Sequence, residues 1–235
     1  MNATHYAGLA DLFDFPDTDY LARAKRLLAS LGERYPEAAV ELRLFIDVIP
    51  KTANALQELY TRTFEIQSLT TLSVGYILFG DDYKRGDLLA NLNREHALAG
   101  NDCRGELADH LPNMLRLIPL LKDAVIRQEM VNELLLPAVA LMIREFDPER
   151  VLTKDKNYEK HYKTLIETPV ADKTIFCRAF KALLDVMSTD FLVAGAGSMP
   201  MDIIARYQSS DFLGMIEKEM EVEANANAYD GGNDH

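Results

Sequence analysis

In the stretch Tyr20-Leu21-Ala22-Arg23-Ala24-Lys25-Arg26-Leu27-Leu28-Ala29-Ser30-Leu31-Gly32, the apolar residues Leu21, Ala24, Leu27, Leu28 and Leu31 recur every three or four positions. That period puts them on one face of an α-helix; a strand would need alternation in twos. Gly32 stands where a helix closes. Upstream, Tyr6, Leu9, Ala10 and Phe13 carry the same stripe, Pro16 stops it, and Asp17 to Asp19 offer caps for the helix that follows.

The period continues downstream. Pro36 opens a third helix with Leu42, Phe45, Ile46 and Ile49 inward, and Pro50 ends it. A fourth carries Leu56, Leu59, Tyr60 and Thr63. Further helices are expected over residues 70–79 and 87–99, and another starts near Asp109, where Pro112 is tolerated because first-turn amides have no intrahelical partner. The apolar segment 124–146 should be kinked or split at Pro137, and residues 158–166 and 174–187 complete the set. Alternating strand patterns and Asn-Gly or Asp-Gly hairpin signals are missing. The reading is an all-α protein, a single helical bundle over residues 1–187. Residues 188–235 form a C-terminal appendage, apolar but broken by Gly195, Gly197 and Pro200, which ends in a flexible acidic tail.

The formal net charge is −12 and the sequence pI is near 4.9. Nucleic-acid binding rests on neutralising phosphates with Lys and Arg, so this balance argues against it and favours a basic partner. No apolar run approaches the roughly 18 residues that span a bilayer, and Met1 to His5 lack the marks of a signal peptide. Stable membrane insertion is therefore not expected, and the expected compartment is the cytoplasm. There Cys103 and Cys177, in unrelated contexts, would be free thiols.

Motifs for catalysis are sparse. The histidines His5, His96, His110, His161 and His235 form no HExxH, and no CxxC accompanies them, so neither a metal site nor a catalytic set is expected. Gly195-Ala196-Gly197-Ser198-Met199-Pro200 lacks the lysine and the preceding strand of a phosphate loop. Two polar clusters remain. Gly80-Asp81-Asp82-Tyr83-Lys84-Arg85-Gly86-Asp87 reads as a fixed turn, with Asp87 placed to cap the next helix. In Gly105-Glu106-Leu107-Ala108-Asp109-His110-Leu111-Pro112, Asp109 is placed to cap the helix that begins there. The Asp109–His110 pair is open to three readings: an acid–base pair, a pinned linker, or the edge of a recognition groove.

Taken in order, these segments resemble a known family. Tyr60-Thr61-Arg62-Thr63-Phe64-Glu65 resembles the "Y-x-x-x-F-D/E" helix end of the NarJ-type assembly chaperones of molybdoenzymes. An apolar helix leads to Gly80, then Arg85-Gly86, then a Leu-rich helix ending in His96 and Gly100. Glu106-Leu107-Ala108-Asp109-His110-Leu111-Pro112 is similar to the family's "E-L-P-D-H-L-P", to which the "E-P-x-D-H" of the TorD/DmsD group is related. Leu12-Phe13-Asp14-Phe15-Pro16-Asp17 resembles the opening "L-x-Y-P-D", and residues 158–168 resemble a closing helix. The likeness spans residues 6–168. Ala108 stands where the motif has proline, which predicts a looser linker.

The resemblance implies a TorD/NarJ-type bundle, not an enzyme. Such a protein binds the N-terminal region of a molybdoenzyme catalytic subunit and assists insertion of the molybdenum cofactor before membrane docking or export. It implies no cofactor of the chain's own beyond transient contact with that molybdenum cofactor, and a monomer or dimer. On this reading Tyr60, Phe64 and Tyr76 line or support an apolar groove, Glu106, Asp109 and His110 lie at its edge, and Arg85 fixes the adjoining turn. The alternatives are a small enzyme or nucleotide-binding protein using Asp109 and His110, and a permanent structural subunit of an oxidoreductase complex.

Overall fold

The structure is a computed structural model that describes residues 5–162 and 173–191. Its elements are α1 (His5–Asp11), α2 (Tyr20–Leu31), a 3-10 turn (Gly32–Arg34), α3 (Pro36–Val48), α4 (Ala53–Phe64), α5 (Val74–Phe79), α6 (Tyr83–Ala99), α7 (Leu111–Leu117), α8 (Ala124–Glu129), a π-helical turn (Met130–Leu135), α9 (Leu136–Arg144), α10 (Pro148–Tyr162) and α11 (Ile175–Phe191). Among the described residues the only β pairing is an isolated antiparallel bridge between Ser73 and His110. The protein is all-α, and no described helix is long and apolar enough to cross a membrane.

The core forms around α11, which buries Phe176, Ala179, Phe180, Leu183, Val186 and Met187. It packs mainly on α3 and α9. It runs antiparallel to α3: Phe176 meets Phe45, Arg178 pairs with Glu41 at 3.0 Å, and Asp185 accepts the Ala38 amide at 3.1 Å. Phe64 and Phe180 join Phe13, Tyr60, Phe146 and Phe176 in one aromatic cluster, with centroids 4.6 to 6.1 Å apart in tilted or edge-on pairs. Such pairs add to the burial of large rings, so truncating one phenylalanine costs about 3–5 kcal/mol.

The helix expected over 174–187 runs on to Phe191 because its last turn is anchored by tertiary contacts. The side chain of Asp190 is fully buried. It accepts from Tyr6 and Tyr35 at 3.1 and 2.8 Å, pairs with Arg34 at 2.7 Å, and lies 3.0 Å from His5 Nε2. Burial and the Asp190 carboxylate push the Tyr35 phenol up to about 12. The remainder of the expected appendage and tail, residues 192–235, lies outside the described residues, as does the end of the expected 158–166 helix.

Proline 137 splits the 124–146 segment as expected, through a device that local pattern does not specify. The chain widens into a π turn, where the Leu136 amide reaches back to Val131 O, and Pro137 falls in the first turn of α9. A wide turn re-aims carbonyls that a proline leaves without an amide.

Three expectations about the polar clusters are corrected. The helix expected over 70–79 begins only at Val74, because Leu72 and Ser73 are drawn into extended pairing: Val74 N donates to Asp109 O at 2.9 Å and Leu111 N to Leu72 O at 2.8 Å. The cap of α6 is Asp82, which accepts the Lys84 amide at 2.9 Å, not Asp87. Arg85 and Gly86 therefore lie inside a helix, and the turn shrinks to Gly80–Asp82. Finally, α7 begins at Leu111 with His110 as its cap residue, so Asp109 does not cap it.

An ion pair sits beneath α10, where Lys154 and Glu145 are both 1% exposed and 2.8 Å apart. Arg150 adds a second cation to Glu145 at 2.9 Å. Lys154 also donates to Leu69 O and Tyr158 to Ser68 O, so α10 holds the irregular segment between α4 and α5.

Candidate functional site

The structure divides the candidate residues into two groups. Phe64, Tyr76, Arg85 and Asp109 belong to the packed interior or to a closed polar latch. Tyr60, Glu106 and His110 reach an open cleft.

The latch is built on Asp109, which is 0% exposed. Its Oδ2 accepts from Ser73 Oγ at 2.5 Å and from the Gly75 amide at 3.1 Å, in the first turn of α5, and lies 3.5 Å from Arg85 Nε. Arg85 also donates to Ser73 Oγ at 3.2 Å and stacks over the Tyr76 ring at 5.3 Å. Asp109 thus serves the start of α5 and a cation from α6, across a long sequence gap. A carboxylate suits both roles, because free helix amides and a guanidinium each favour negative charge. Gly75 is required for the approach: a Cβ there would stand 2.8 Å from Asp109 Oδ2 and 3.1 Å from Leu88. The placement of Asp109 at an open groove edge is corrected, because its hydrogen bonds run to Ser73 and Gly75 and its carboxylate is sealed from solvent. Nor do those bonds run to the neighbouring His110 ring, so the two do not form a hydrogen-bonded acid–base pair. Arg85 likewise fixes the latch from within α6 instead of from a turn.

The cleft has a volume of about 490 Å³. Three chain segments meet at it: Asp11 to Asp17 after α1, Tyr60 and Glu65 at the end of α4, and Cys103 to Asn113 before and within α7. Carboxylates of Asp11, Asp14, Asp17, Glu65 and Glu106 line it, against the arginines Arg23 and Arg104. Phe15, 52% exposed, stands edge-on to Tyr60 at 5.4 Å between centroids. Tyr60 is itself buried and donates to Phe13 O at 3.0 Å, so it contributes a wall backed by the aromatic core. Ile66 and Leu107, neighbours of Glu65 and Glu106, are exposed as well.

Behind this surface Arg116, in an apolar helix, reaches under the cleft and bonds Asp11 at 2.8 Å and Asp14 at 3.1 Å. These hydrogen bonds and the two carboxylates hold its guanidinium charged despite burial. His110 is pulled the other way: burial lowers its pKa, while the charges of Glu106 and Asp14 raise it only in part. Its ring therefore favours the neutral form near neutral pH.

The third segment is held by a network that spacing arguments missed. Asn113 donates to Cys103 O and Leu107 O, both at 3.1 Å. His96 Nε2 lies 3.0 Å from Ala108 O, a pure acceptor, so Nε2 carries the hydrogen and Nδ1 accepts from Asn101 at 2.9 Å. Asn101 also donates to Asn113 O at 3.0 Å. The looser linker expected from alanine at position 108 is corrected: Ala108 is buried and its carbonyl is tied to α6. Hydrogen bonds supply restraint that a proline ring would supply covalently.

Sequence reasoning did not single out Asp11, Asp14, Arg23, Arg104 or Arg116. A signal existed for Arg116, a lone cation inside the apolar run Leu111–Leu117, which needs a buried acidic partner. Both cysteines are free, and among the described residues no three His, Cys, Asp or Glu side chains gather as a metal-ligand set. Comparison of the chain with models of known protein families and with curated proteins returned no match.

Proposed function

We propose that this chain is an assembly chaperone of the NarJ/TorD/DmsD kind. It binds the N-terminal region of a molybdoenzyme catalytic subunit in the cytoplasm, keeps the apoprotein receptive to the molybdenum cofactor, and delays docking or export until the cofactor is in place. One observation carries the reading. The three segments that resemble the family's motifs, around Asp14, Tyr60 and Glu106, lie far apart in the chain and all border the same acidic cleft.

The chemistry of that cleft suits a short cationic segment with apolar anchors. Exposed Phe15, edge-on to Tyr60 in the cleft wall, offers apolar contact. Glu65 and Glu106 offer charge at the rim, where it steers encounter and selects sign. The chain's net charge of −12 adds a long-range field of the same sense.

Isothermal titration with N-terminal peptides of candidate catalytic subunits tests the reading. The expected result is saturable binding that weakens about tenfold in a Glu65→Gln, Glu106→Gln double variant and weakens further with added salt. Binding that ignores both carboxylates, or stable residence of the chain in the mature, cofactor-loaded enzyme, would count against it.

A further inference from the structure

We propose that Arg104 is a resident cation of the acidic cleft, and that it sets a threshold for what binds there. It shares with Arg116 the Asp14 carboxylate that a lysine or arginine of the bound segment approaches from the cleft, and it must leave before that segment can seat. The inference rests on the cleft reading above and adds an affinity threshold to it.

The arginines around the cleft are held very differently. Arg116 is 10% exposed at its side chain and makes hydrogen bonds to both Asp11 and Asp14. Arg23 is paired to Asp17 at 2.8 Å, and Asp17 is further fixed by the Asp19 amide. Arg104 is 61% exposed and touches Asp14 through one atom at 3.5 Å, an ion pair without a hydrogen bond. It is the loosest cation of the three, and ion pairs at such exposed positions contribute least.

Its backbone is the opposite. Arg104 has φ +55°, a left-handed conformation unusual for a residue with a Cβ, followed by Gly105 at φ +85°. The turn is closed by Arg104 N on Asp102 Oδ1 at 2.8 Å and by Glu106 N on Cys103 O at 3.0 Å, and Asn113 holds Cys103 O from behind. A hydrogen-bonded turn therefore presents an exposed, loosely paired side chain to the cleft mouth. Only the guanidinium need swing out, while the wall carrying Glu106 and His110 stays in place.

The consequence is a count of charges. A segment with a single cation that displaces Arg104 from Asp14 exchanges one weak ion pair for another and gains nothing. A segment with two cations keeps that exchange and adds a contact to Glu106, whose carboxylate is exposed at the rim.

The experiment compares two labelled peptides of leucine and alanine, carrying one or two arginines, on the full chain and on three variants. Arg104→Asn removes the charge while keeping a residue that tolerates positive φ. Glu106→Gln reports whether the two-arginine peptide occupies the cleft. Arg94→Ala removes one exposed positive charge from α6, outside the cleft lining. The expected result is that Arg104→Asn tightens both peptides about two- to fivefold, the span of an exposed ion pair, with Arg94→Ala unchanged. Unchanged or weaker binding in Arg104→Asn, while Glu106→Gln still weakens it, overturns the resident-cation proposal and leaves the cleft reading standing. Equal tightening by Arg94→Ala reduces the effect to net charge and overturns it too. Peptides that bind nowhere, or a two-arginine peptide that ignores Glu106→Gln, overturn both.

Discussion

The Asp109 latch and the acidic cleft share one short piece of chain and use it in opposite ways. Glu106 and Asp109 are three residues apart, both acidic, and both in the segment that most resembles a family motif. Asp109 points inward, is 0% exposed, and turns its Oδ2 to Ser73, Gly75 and Arg85. Glu106 is exposed at the rim of a 490 Å³ cleft. A buried carboxylate is tolerated only when donors and a cation meet it, so its charge serves the fold. An exposed one contributes little to stability and stays available to a partner. The same residue chemistry is structural on one side of a turn and receptive on the other.

The contrast makes its largest prediction at Asp109. Asp109→Ala leaves the first-turn Gly75 amide and the Ser73 hydroxyl hydrogen without their acceptor and removes the carboxylate facing Arg85, and should cost about 3 kcal/mol in urea unfolding. Glu106→Gln should shift the same measurement by less than about 0.5 kcal/mol while weakening peptide binding. A small effect at Asp109, or a large one at Glu106, would erase the distinction between the regions.

A smaller effect is expected from Gly75→Ala. The added methyl would meet a pinned carboxylate oxygen at 2.8 Å and Leu88 at 3.1 Å, and the latch has to shift. Against this stands a gain of up to about 1 kcal/mol from replacing a helical glycine. The net expectation is destabilisation of about 1–2 kcal/mol by thermal or urea unfolding, with peptide affinity of the folded fraction retained. Stabilisation by this substitution would show that the latch is looser than its geometry.

The smallest effect expected is in pH dependence. Burial lowers the pKa values of His5, His96 and His110 below the ordinary 6.5. The unfolded chain then binds more protons than the folded one as pH falls through 6.5, so stability should be present above that value and decline below it. Unfolding free energies followed from about pH 7 to about pH 5 should slope downward. Replacing His110 with Asn should flatten part of the slope. A flat profile in the parent protein would mean that partner carboxylates outweigh burial at these rings.

Much of this fold is legible in the local pattern. The stripe Leu21 to Leu31, the stop at Gly32, the helix opening at Pro36 and the first-turn place of Pro112 are each set within a few residues, and the structure places each where the pattern does. Asp82 outcompeting Asp87 as a cap was ambiguous locally, since both precede apolar helical residues. Asp109 was misread for a deeper reason: the amide it accepts belongs to Gly75, far back in the chain. The same holds for Lys154, an ordinary surface residue by pattern, which lies buried against Glu145 and a loop carbonyl more than eighty residues upstream in the sequence.

The sequence by itself determined the helices, most of their ends and the acidic character of the surface. These follow from hydrophobic period, backbone chemistry and composition, which act over one or two helical turns. Only the tertiary structure decided which acids are sealed and which are offered. That outcome depends on whether a donor or a cation from a distant element arrives at the same point in space. For Asp109 three such groups arrive, and for Glu106 none does among the described residues.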